Sequence, residues 1–402
     1  MMKRKLSIIL TAALLLGSLC ACGGEAGAPA DNNPTEISIW YTDDGSSMFT
    51  NLVQAVADYN SGAGAQAGIS IRLEKSFDDD EALLNSVARA GSKLPDVVIS
   101  GRDAAMSLSR LGAATCTDGY EDSFTGLGIP AAYMNAASMD DRLISVPLAV
   151  SVPMLLVNTA LTDAAFADGC DFTSLESLCA AAAVYENATG QHFFTVTSFS
   201  ELFRLGLAQM ETDFHADRQR DIENRQYIYL YNLLAVAAYE GGLTTAEGSV
   251  AKLVAGGEFA CGLTTSVDIM QNASDADLKS FDVLACPVIR NGLLLYSLDF
   301  TMASITARDE DKQEASAKFI KWLVENSYTI AGESGHFSSL SDLTGSYVNG
   351  KTPGSGLLVE IGDTARKTAK RRTLYVPAAQ AEYFTEGLAF EDSFRETLKG
   401  LN

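Results

Sequence analysis

The stretch LISVPLAVSVPMLLVN, residues Leu143 to Asn158, lies near the middle of the 402-residue chain and decides the fold. Every second position in it is apolar, namely Ile144, Val146, Leu148, Val150, Val152, Met154 and Leu156. A period of two predicts extended backbone and excludes a helix. Pro147 and Pro153 lack the N–H groups of a central strand, so the stretch is typical of a connector between two shorter paired segments. A crossing between two lobes and a bent edge strand within one domain both fit this pattern.

Strand and helix patterns alternate before this stretch. The predicted strands are Ile37–Tyr41, Ile69–Leu73 and Asp96–Ser100, and the helices begin at Ser46 or Ser47, in the acidic cluster Asp78–Glu81, and at Arg102. Glycines at positions 62, 91 and 112 end those helices. This order predicts a mostly parallel sheet with helices on its faces.

The same alternation restarts after Asn158. A capping box at Thr173–Glu176 starts a helix that ends near Gly190. Predicted strands follow at 192–198, 258–264 and 281–288, and helices at 200–210, 221–239 and 245–255. A second extended apolar stretch, Leu295 to Thr306, gives the midpoint stretch a partner. A complete α/β lobe lies between the two, which favours an interlobe crossing over a bent edge strand.

Asp309 caps the next helix, and the last 75 or so residues are predicted to be mostly helical. Their predicted helical segments are 356–370, 378–388 and 391–401.

The N-terminus has the pattern of a secretory signal peptide. Lys3, Arg4 and Lys5 precede an apolar run, Leu6 to Leu16, that is too short to span a bilayer. The following Leu19-Cys20-Ala21-Cys22 resembles the lipobox of bacterial lipoproteins, which makes Cys22 the predicted lipidation site. A plain cleaved signal peptide is the alternative. Residues 25–35 are polar and predict a tether, and no second run of about 18 apolar residues follows.

Composition limits the function classes. The net charge of −22 repels nucleic acid and anionic lipid, and 47% apolar residues suffice for the cores of two or three domains. Five cysteines follow the signal without CxxC spacing, which favours buried thiols, with a Cys170–Cys179 disulfide as the alternative. The three histidines are isolated, so we predict no metal and no cofactor. The enzyme motifs GxxxxGK[ST], HExxH and GxSxG are missing from the sequence.

Several phrases of the sequence together resemble one family. They are the lipoprotein signal, ISIWYTDDG from Ile37, LPDVVIS from Leu94, the midpoint stretch, and LDFTMASITARDEDKQEASAKFIKWLVEN from Leu298. Their order and spacing resemble family 1 extracellular solute-binding proteins of bacterial ABC-type importers. Residues 340–370 match no motif of that family.

The resemblance implies a periplasmic-binding-protein-like α/β fold, in which two lobes are joined by extended hinge crossings and ligand binds in the cleft. The implied division is a signal peptide at 1–21, a lipid-anchored tether at 22–35, the first part of lobe 1 at 36–147, lobe 2 at 148–298, and a return to lobe 1 with C-terminal helices at 299–402. It further implies a lipid-anchored monomer that faces the extracellular side of the cell membrane, or the periplasm, and whose partners are permease subunits.

Candidate ligand contacts in the first lobe follow predicted strands, because ligands bind outside the carboxyl ends of strands in open α/β sheets. They are Asp43, Asp44, Ser100 and Arg102. Carboxylates accept hydroxyl hydrogen bonds and arginine donates a planar fork. The alternative for the Asp43-Asp44-Gly45 segment is a turn and helix cap, and Arg102 can instead pair with Asp103 or Asp96.

In the second lobe, Tyr229 points away from its neighbours Tyr227 and Tyr231, because helix positions two apart lie about 200° apart. It is therefore a candidate to stack on a sugar ring, with core packing as the alternative. Thr264 and Thr265 follow a strand and can offer hydroxyls to a ligand or cap a helix.

At the crossings, Ser151 lies in the midpoint stretch, and Asp299 and Phe300 interrupt the second extended run. A charged residue in such a run needs a partner or solvent, so Asp299 is the first candidate. The loop with His336 and Phe337 resembles one that contacts ligand in this family, and a surface loop without function is its alternative.

These features predict a non-enzymatic binding lipoprotein of an ABC importer whose ligand is a mono- or oligosaccharide. A surface lipoprotein for an amino acid, a peptide or a cationic solute is the alternative. A lipid-anchored glycoside hydrolase is disfavoured, because acidic surface charge explains the surplus of carboxylates.

Overall fold

In a computed structural model of the protein, which describes residues 33–91, 93–114, 119–210, 225–273, 281–289, 299–340 and 383–401, the chain builds two separate sheets. The first part of the chain forms β1 (Thr35–Thr42), α1 (Ser47–Ser61), α2 (Ala63–Ala67), β2 (Ile69–Phe77), α3 (Asp80–Ala90), β3 (Val97–Gly101), α4 (Arg102–Arg110), α5 (Glu121–Thr125), α6 (Ala131–Ala136), β4 (Ser138–Met139), β5 (Arg142–Leu143) and β6 (Val146–Val150). Their helix caps follow the sequence closely, because Ser46 and Asp79 accept backbone N–H bonds at the starts of α1 and α3.

The second part forms β7 (Pro153–Asn158), α7 (Thr159–Ala165), α8 (Leu175–Thr189), β8 (Phe194–Val196), α9 (Phe199–Gln209), α10 (Arg225–Tyr239), β9 (Leu243–Thr245), α11 (Val250–Ala255), β10 (Cys261–Thr265), α12 (Ser266–Asn272) and β11 (Phe281–Ala285). The described chain then returns through β12 (Phe300–Ile305), α13 (Glu310–Glu325), α14 (Ser327–Ala331), β13 (Phe337–Ser338) and α15 (Tyr383–Leu401).

The midpoint stretch passes from one sheet to the other. Its first half, β6, pairs with β12 and β13, and its second half, β7, pairs with β10 and β11. Only Ser151 and Val152 lie between the two strands. The prediction of an extended connector between two paired segments is confirmed. We call the first sheet with its helices the first lobe, the second sheet with its helices the second lobe, and the space between them the cleft.

Strand directions follow from these crossings. The first sheet has the order β13-β6-β12-β3-β1-β2 and the second β11-β7-β10-β8-β9. β1, β2 and β3 run parallel, as do β8, β9 and β10. β7 and β12 run antiparallel to their neighbours, because each enters its sheet from the cleft, where the parallel strands end. The two-lobed α/β fold is confirmed, and both of its sheets are mixed.

The last described helix belongs to the second lobe. Phe390 and Phe394 of α15 pack against Phe203 and Phe199 of α9 at ring-centroid distances of 4.6 and 4.8 Å. The predicted break between residues 388 and 391 is wrong, because α15 continues through it and buries one apolar face. The predicted segment 356–370 lies outside the described residues.

Two other local predictions need correction. The helix expected at 245–255 begins at Val250, because Thr245 still pairs in β9 and Ser249 supplies the cap. The cap of α8 is Ser174 rather than Thr173, since the Ser174 hydroxyl accepts the Ser177 N–H at 3.1 Å.

The sequence also predicts buried thiols and, after the N-terminal signal, no second run of apolar residues long enough to span a membrane. Cys170, Cys179, Cys261 and Cys286 are free thiols, so the alternative of a Cys170–Cys179 bridge is wrong, and Cys116 lies outside the described residues. Within the described part of the chain, no helix combines the length and the apolar character needed to cross a membrane.

Candidate functional site

A cavity of about 290 Å³ lies where strands of both sheets end. Residues from both lobes and from both crossings line it: Asp80, Gly101, Arg102, Asp103, Ser151, Pro153, Val196, Thr197, Ser198, Glu201, Leu202, Arg204, Leu205, Leu263, Thr264, Thr265 and Asp299. Most of them come directly after β2, β3, β6 and β8 or at the end of β10. This is the edge at which open α/β sheets bind ligands.

Arg102 and Asp103 begin α4 at the end of β3. The Arg102 side chain is only 1% exposed, and its Nη2 donates to Asp103 Oδ1 at 3.3 Å. Burial lowers the pKa of Arg102, while the neighbouring Asp103 carboxylate opposes that shift. Arg102 therefore stands as a buried cation whose position is set by its own helix start.

Asp103 also contacts the second lobe. Arg204 of α9 donates through Nη1 to Asp103 Oδ2 at 2.6 Å and through Nη2 to Oδ1 at 3.2 Å. Burial alone would raise the pKa of Asp103, but the positive charges of Arg204 and Arg102 outweigh it and hold that pKa below its usual value. The carboxylate thus stays ionised between two guanidinium groups.

Asp80, the first residue of α3, is fixed by the ends of two strands. Its Oδ1 accepts from the Thr42 hydroxyl at 2.7 Å, and its carboxylate accepts from the Gly101 N–H at 3.1 and 3.2 Å. Burial raises the pKa of Asp80, and the bonds from Thr42 and Gly101 oppose that shift. A Cβ at position 101 would collide with Asp80 Oδ2, so a larger residue there would displace the Asp80 carboxylate.

The crossings meet on one side of the cavity. The Ser151 hydroxyl donates to Asp299 Oδ2 at 2.8 Å, and the Ser151 N–H donates to the Asp299 carbonyl at 3.0 Å. The Val152 N–H donates to Ser266 Oγ at 3.1 Å, and that hydroxyl donates to the Gly335 carbonyl at 2.7 Å. We call Ser151, Val152, Ser266, Asp299 and Gly335 the hinge residues.

The second lobe contributes hydroxyls and a carboxylate. Thr264 Oγ1 donates to Asp268 at 2.6 Å, and Thr265 Oγ1 accepts the Asp268 N–H, so Thr265 also caps α12. Glu201 of α9 reaches the water in the cleft although protein surrounds it on most sides. Burial, followed by the negative charge of Asp299, raises the pKa of Glu201 to about 6.

Five of the twelve ligand-binding candidates from the sequence lie together in the cavity lining, namely Arg102, Ser151, Thr264, Thr265 and Asp299. Of the two pairs left open for Arg102, the structure forms the one with Asp103.

The other first-lobe candidates lie outside the cavity lining. Asp43 and Asp44 accept the N–H groups of Gly45 and Ser46 at 2.9 and 2.8 Å, which is the turn and helix start left as their alternative. Ser100 is buried under the strand end, and its hydroxyl donates to the Gly101 carbonyl.

The aromatic candidates also lie outside the lining. Phe300 and Phe337 are 1% exposed and pack in the first-lobe core, because the inner positions of β12 and β13 face that core. Tyr229 lies on the outer face of α10 and donates to Glu176 Oε1 at 2.8 Å. Its neighbours Tyr227 and Tyr231 pack on Phe203. Tyr229 lies on the opposite side of the helix, which faces solvent and not the cleft.

His336 is buried beside Asp44 and Ser334. Its Nε2 lies 3.4 Å from Asp44 Oδ2, and its Nδ1 lies 3.1 Å from Ser334 Oγ. Burial lowers the pKa of His336, and the Asp44 carboxylate opposes that shift. His336 therefore fixes the segment before β13 and does not line the cavity.

Sequence reasoning missed Asp80, Asp103, Glu201, Arg204 and the Thr197-Ser198 pair. Thr197 and Ser198 follow β8, so the rule of strand ends applied to every strand would have found them. Glu201 and Arg204 have no such signal, because their helix is placed against the cleft only by packing of the second lobe. No group of three metal-ligating side chains occurs among the residues that the structure describes.

The model of one protein family, described as bacterial extracellular solute-binding protein, matches residues 54–332. The chain belongs to this family. The resemblance seen in the sequence is thereby confirmed, and the family consists of solute-binding proteins and not of enzymes. No curated protein sequence matches the chain.

Solved structures share the fold. The cyclic α-maltosyl-1,6-maltose binding protein from Arthrobacter globiformis aligns with a TM-score of 0.70 at 19% identity, over 91% of this chain and 94% of its own. An ABC substrate-binding protein from Listeria monocytogenes in complex with cycloalternan aligns at 0.68 with 13% identity and the same coverage. A family 1 extracellular solute-binding protein from Alicyclobacillus acidocaldarius aligns at 0.59 with 14% identity, over 92% and 94%.

Proposed function

We propose that this chain is the substrate-binding lipoprotein of an ABC importer and captures a mono- or oligosaccharide in the cleft. The observation that carries the proposal is the 290 Å³ cavity between the lobes of a solute-binding protein. Of the structures that share the fold, one is a cyclic α-maltosyl-1,6-maltose binding protein and another is a complex with cycloalternan, which favours a carbohydrate here.

The proposal assigns ligand contacts to Arg102, Ser151, Thr264, Thr265 and Asp299. Carboxylates accept hydrogen bonds from sugar hydroxyls, and guanidinium groups donate hydrogen bonds to hydroxyl oxygens. Serine and threonine hydroxyls can both donate and accept. A few such groups in a largely enclosed pocket fix the orientation of a polar solute. Closure of the lobes about the hinge residues completes the site and changes the surface offered to the permease.

A thermal-shift screen of the purified protein against mono- and oligosaccharides tests this proposal. A saccharide at about 100 times its Kd should stabilise the protein by about 2.7 kcal/mol. Stabilisation by no saccharide would contradict the proposal.

Asp299→Asn tests the assigned site. We expect binding of the saccharide found in the screen to weaken about tenfold or more, since hydrogen bonds to charged groups contribute about 1.5–3 kcal/mol. The melting temperature should stay near that of the wild type, and calorimetric titration gives the Kd. Asp282→Asn, on the exposed side of β11, is the matched control and should bind normally. Unfolding of Asp299→Asn would show instead a structural role.

A cationic solute is the second candidate. Four carboxylates, Asp80, Asp103, Glu201 and Asp299, and two guanidinium groups line the cavity among the described residues. Polyamines and basic amino acids therefore belong in the same screen, and a cation that binds while every neutral sugar fails would favour this candidate.

The lipid anchor rests on the sequence, because Cys22 lies outside the described residues. Cys22→Ser should release the protein from the membrane fraction and abolish incorporation of a labelled fatty acid, since the two acyl chains supply the anchoring. Cys20→Ser is the control and should remain membrane-bound. Retention of the Cys22 variant with its label would contradict lipidation at this site.

A further inference from the structure

We propose that Asp103 and Arg204 form a closure pair, an ion pair that bridges the cleft and holds the two lobes together independently of the solute. The inference rests on the proposed function in one respect: it assigns part of the closure energy of that binding site to the protein itself.

The geometry is that of a two-point charge-assisted contact. Arg204 Nη1 and Nη2 donate to Asp103 Oδ2 and Oδ1 at 2.6 and 3.2 Å. The side chains are 12% and 15% exposed, so water screens the pair only in part. Paired guanidinium–carboxylate bonds of this kind are stronger and more specific than neutral hydrogen bonds.

The position of the pair makes it sensitive to opening. Asp103 begins α4, directly after β3 of the first sheet, and Arg204 lies in α9, which follows β8 of the second sheet. Ser151 and Asp299, in contrast, sit on the crossings that connect the sheets, and their side chains are bonded to each other. A rotation that opens the cleft about the crossings keeps Ser151 and Asp299 close and separates Asp103 from Arg204.

Arg102 stabilises the position of Asp103 within the first lobe. Its side chain, 1% exposed, donates to the same Asp103 carboxylate at 3.3 Å. Because this bond already restricts the Asp103 side chain, that side chain loses less conformational entropy when the ion pair with Arg204 forms. The two positive charges also keep Asp103 ionised, as its lowered pKa indicates.

The consequence concerns affinity. A solute that binds the closed form has an apparent Kd equal to its intrinsic Kd divided by the closed fraction. A pair that raises the closed fraction therefore tightens binding of any solute, neutral ones included. Because salt screens a partly exposed pair, binding of a neutral sugar should weaken with ionic strength.

Small-angle X-ray scattering of the protein without added solute tests the pair. At low salt, the scattering of the wild type should match the profile of the closed form, which is the structure with the Asp103–Arg204 pair formed. Arg204→Gln should show a larger radius of gyration. The matched control is Arg395→Gln, which removes an ion pair to Glu391 at 2.9 Å within the second lobe and should leave the radius unchanged. The expected shift in the ratio of closed to open protein is about tenfold, between the effects of exposed and buried pairs.

Arg204→Lys keeps the charge and serves if Arg204→Gln does not fold. Lysine lacks the planar fork, so we expect an intermediate radius that increases with salt. Equal radii for the wild type and both Arg204 variants would overturn the proposal, as would a wild type that scatters as an open form at low salt.

The two proposals fail separately, because the scattering experiment contains no solute. If no saccharide binds but Arg204→Gln opens the protein, the closure pair stands and the carbohydrate assignment falls. If a saccharide binds and Arg204→Gln weakens it without any change in scattering, Arg204 is only a ligand contact and the closure pair is overturned.

Discussion

Glu201 shows how the cavity acts on a single residue. Its carboxylate faces the cleft from α9, and Asp299, Glu391 and Asp103 add negative charge around it. Burial and these charges disfavour ionisation, so the pKa of Glu201 rises from 4.5 to about 6. At neutral pH the Glu201 carboxyl is therefore ionised, although its surroundings favour the protonated form.

This shift predicts a pH dependence. Between pH 4.5 and 6 the folded protein binds the Glu201 proton more tightly than the unfolded chain, so the contribution of this group to stability decreases as pH rises through that window. Glu201→Gln should raise the melting temperature by about 1–3 °C at pH 7.5, with a smaller difference at pH 4.5.

Differential scanning calorimetry at the two pH values measures this effect. Glu396→Gln, on an exposed part of α15, is the control and should behave as the wild type. A melting temperature of Glu201→Gln that is lower than that of the wild type at pH 7.5 would contradict the assigned pKa shift.

At the scale of elements, Asp96 joins three of them. Its carboxylate accepts from the Ser38 N–H and hydroxyl of β1 at 2.8 and 3.0 Å and from Lys312 Nζ of α13 at 2.9 Å. Asp96 follows Pro95 and lies just before β3, within the sequence LPDVVIS that resembles the family. The proline-aspartate pair is thus structural: it fixes the start of a central strand whose far end carries Arg102 and Asp103.

Asp96→Asn should therefore destabilise the protein without altering the cavity. The neutral amide loses the ion pair with Lys312, and its NH2 group cannot accept the second bond that the carboxylate accepts from Lys312 Nζ. We therefore expect a loss of about 1–3 kcal/mol. Urea unfolding gives the free energy of unfolding. Asp58→Asn, an exposed aspartate on α1 that accepts from Gln54, should change it by no more than about 0.5 kcal/mol. Equal losses in the two variants would refute the role of Asp96.

At the scale of the whole molecule, Gly335 lets the two lobes approach. Its φ is +88°, and a Cβ there would lie 2.5 Å from the Ser266 carbonyl oxygen and 2.6 Å from Val267 Cα. Both atoms are backbone of α12 in the second lobe, whereas Gly335 precedes β13 of the first. A side chain at this position must push the lobes apart near the hinge.

Gly335→Ala should therefore favour the open form. Overpacking of this kind costs about 1–3 kcal/mol, so the radius of gyration should increase and solute binding should weaken several-fold or more. Gly248→Ala is a matched control, because Gly248 has a φ of +100° and no atom within 4 Å of its added Cβ. Both variants carry backbone strain, and only the first carries the clash. If both scatter as the wild type, contact at Gly335 does not limit closure.

Much of this architecture was predictable from local patterns. The alternation and the prolines of Leu143–Asn158 depend only on neighbouring residues, so they determined an extended crossing between two paired strands. The rule of strand ends likewise placed Arg102, Thr264 and Thr265 among the candidates, and the two extended runs placed Ser151 and Asp299; the cavity brings all five together.

The rest depended on how distant elements face each other. Tyr229 and Glu201 both lie on amphipathic helices, and only packing of the second lobe turns Tyr229 to solvent and Glu201 to the cleft. Asp103 and Arg204 are 101 residues apart, and no periodicity relates them. The sequence by itself determined two α/β lobes and the crossing that joins them, because strand and helix periods are local. Only the tertiary structure decided which charges meet across the cleft, because that depends on the relative placement of two sheets.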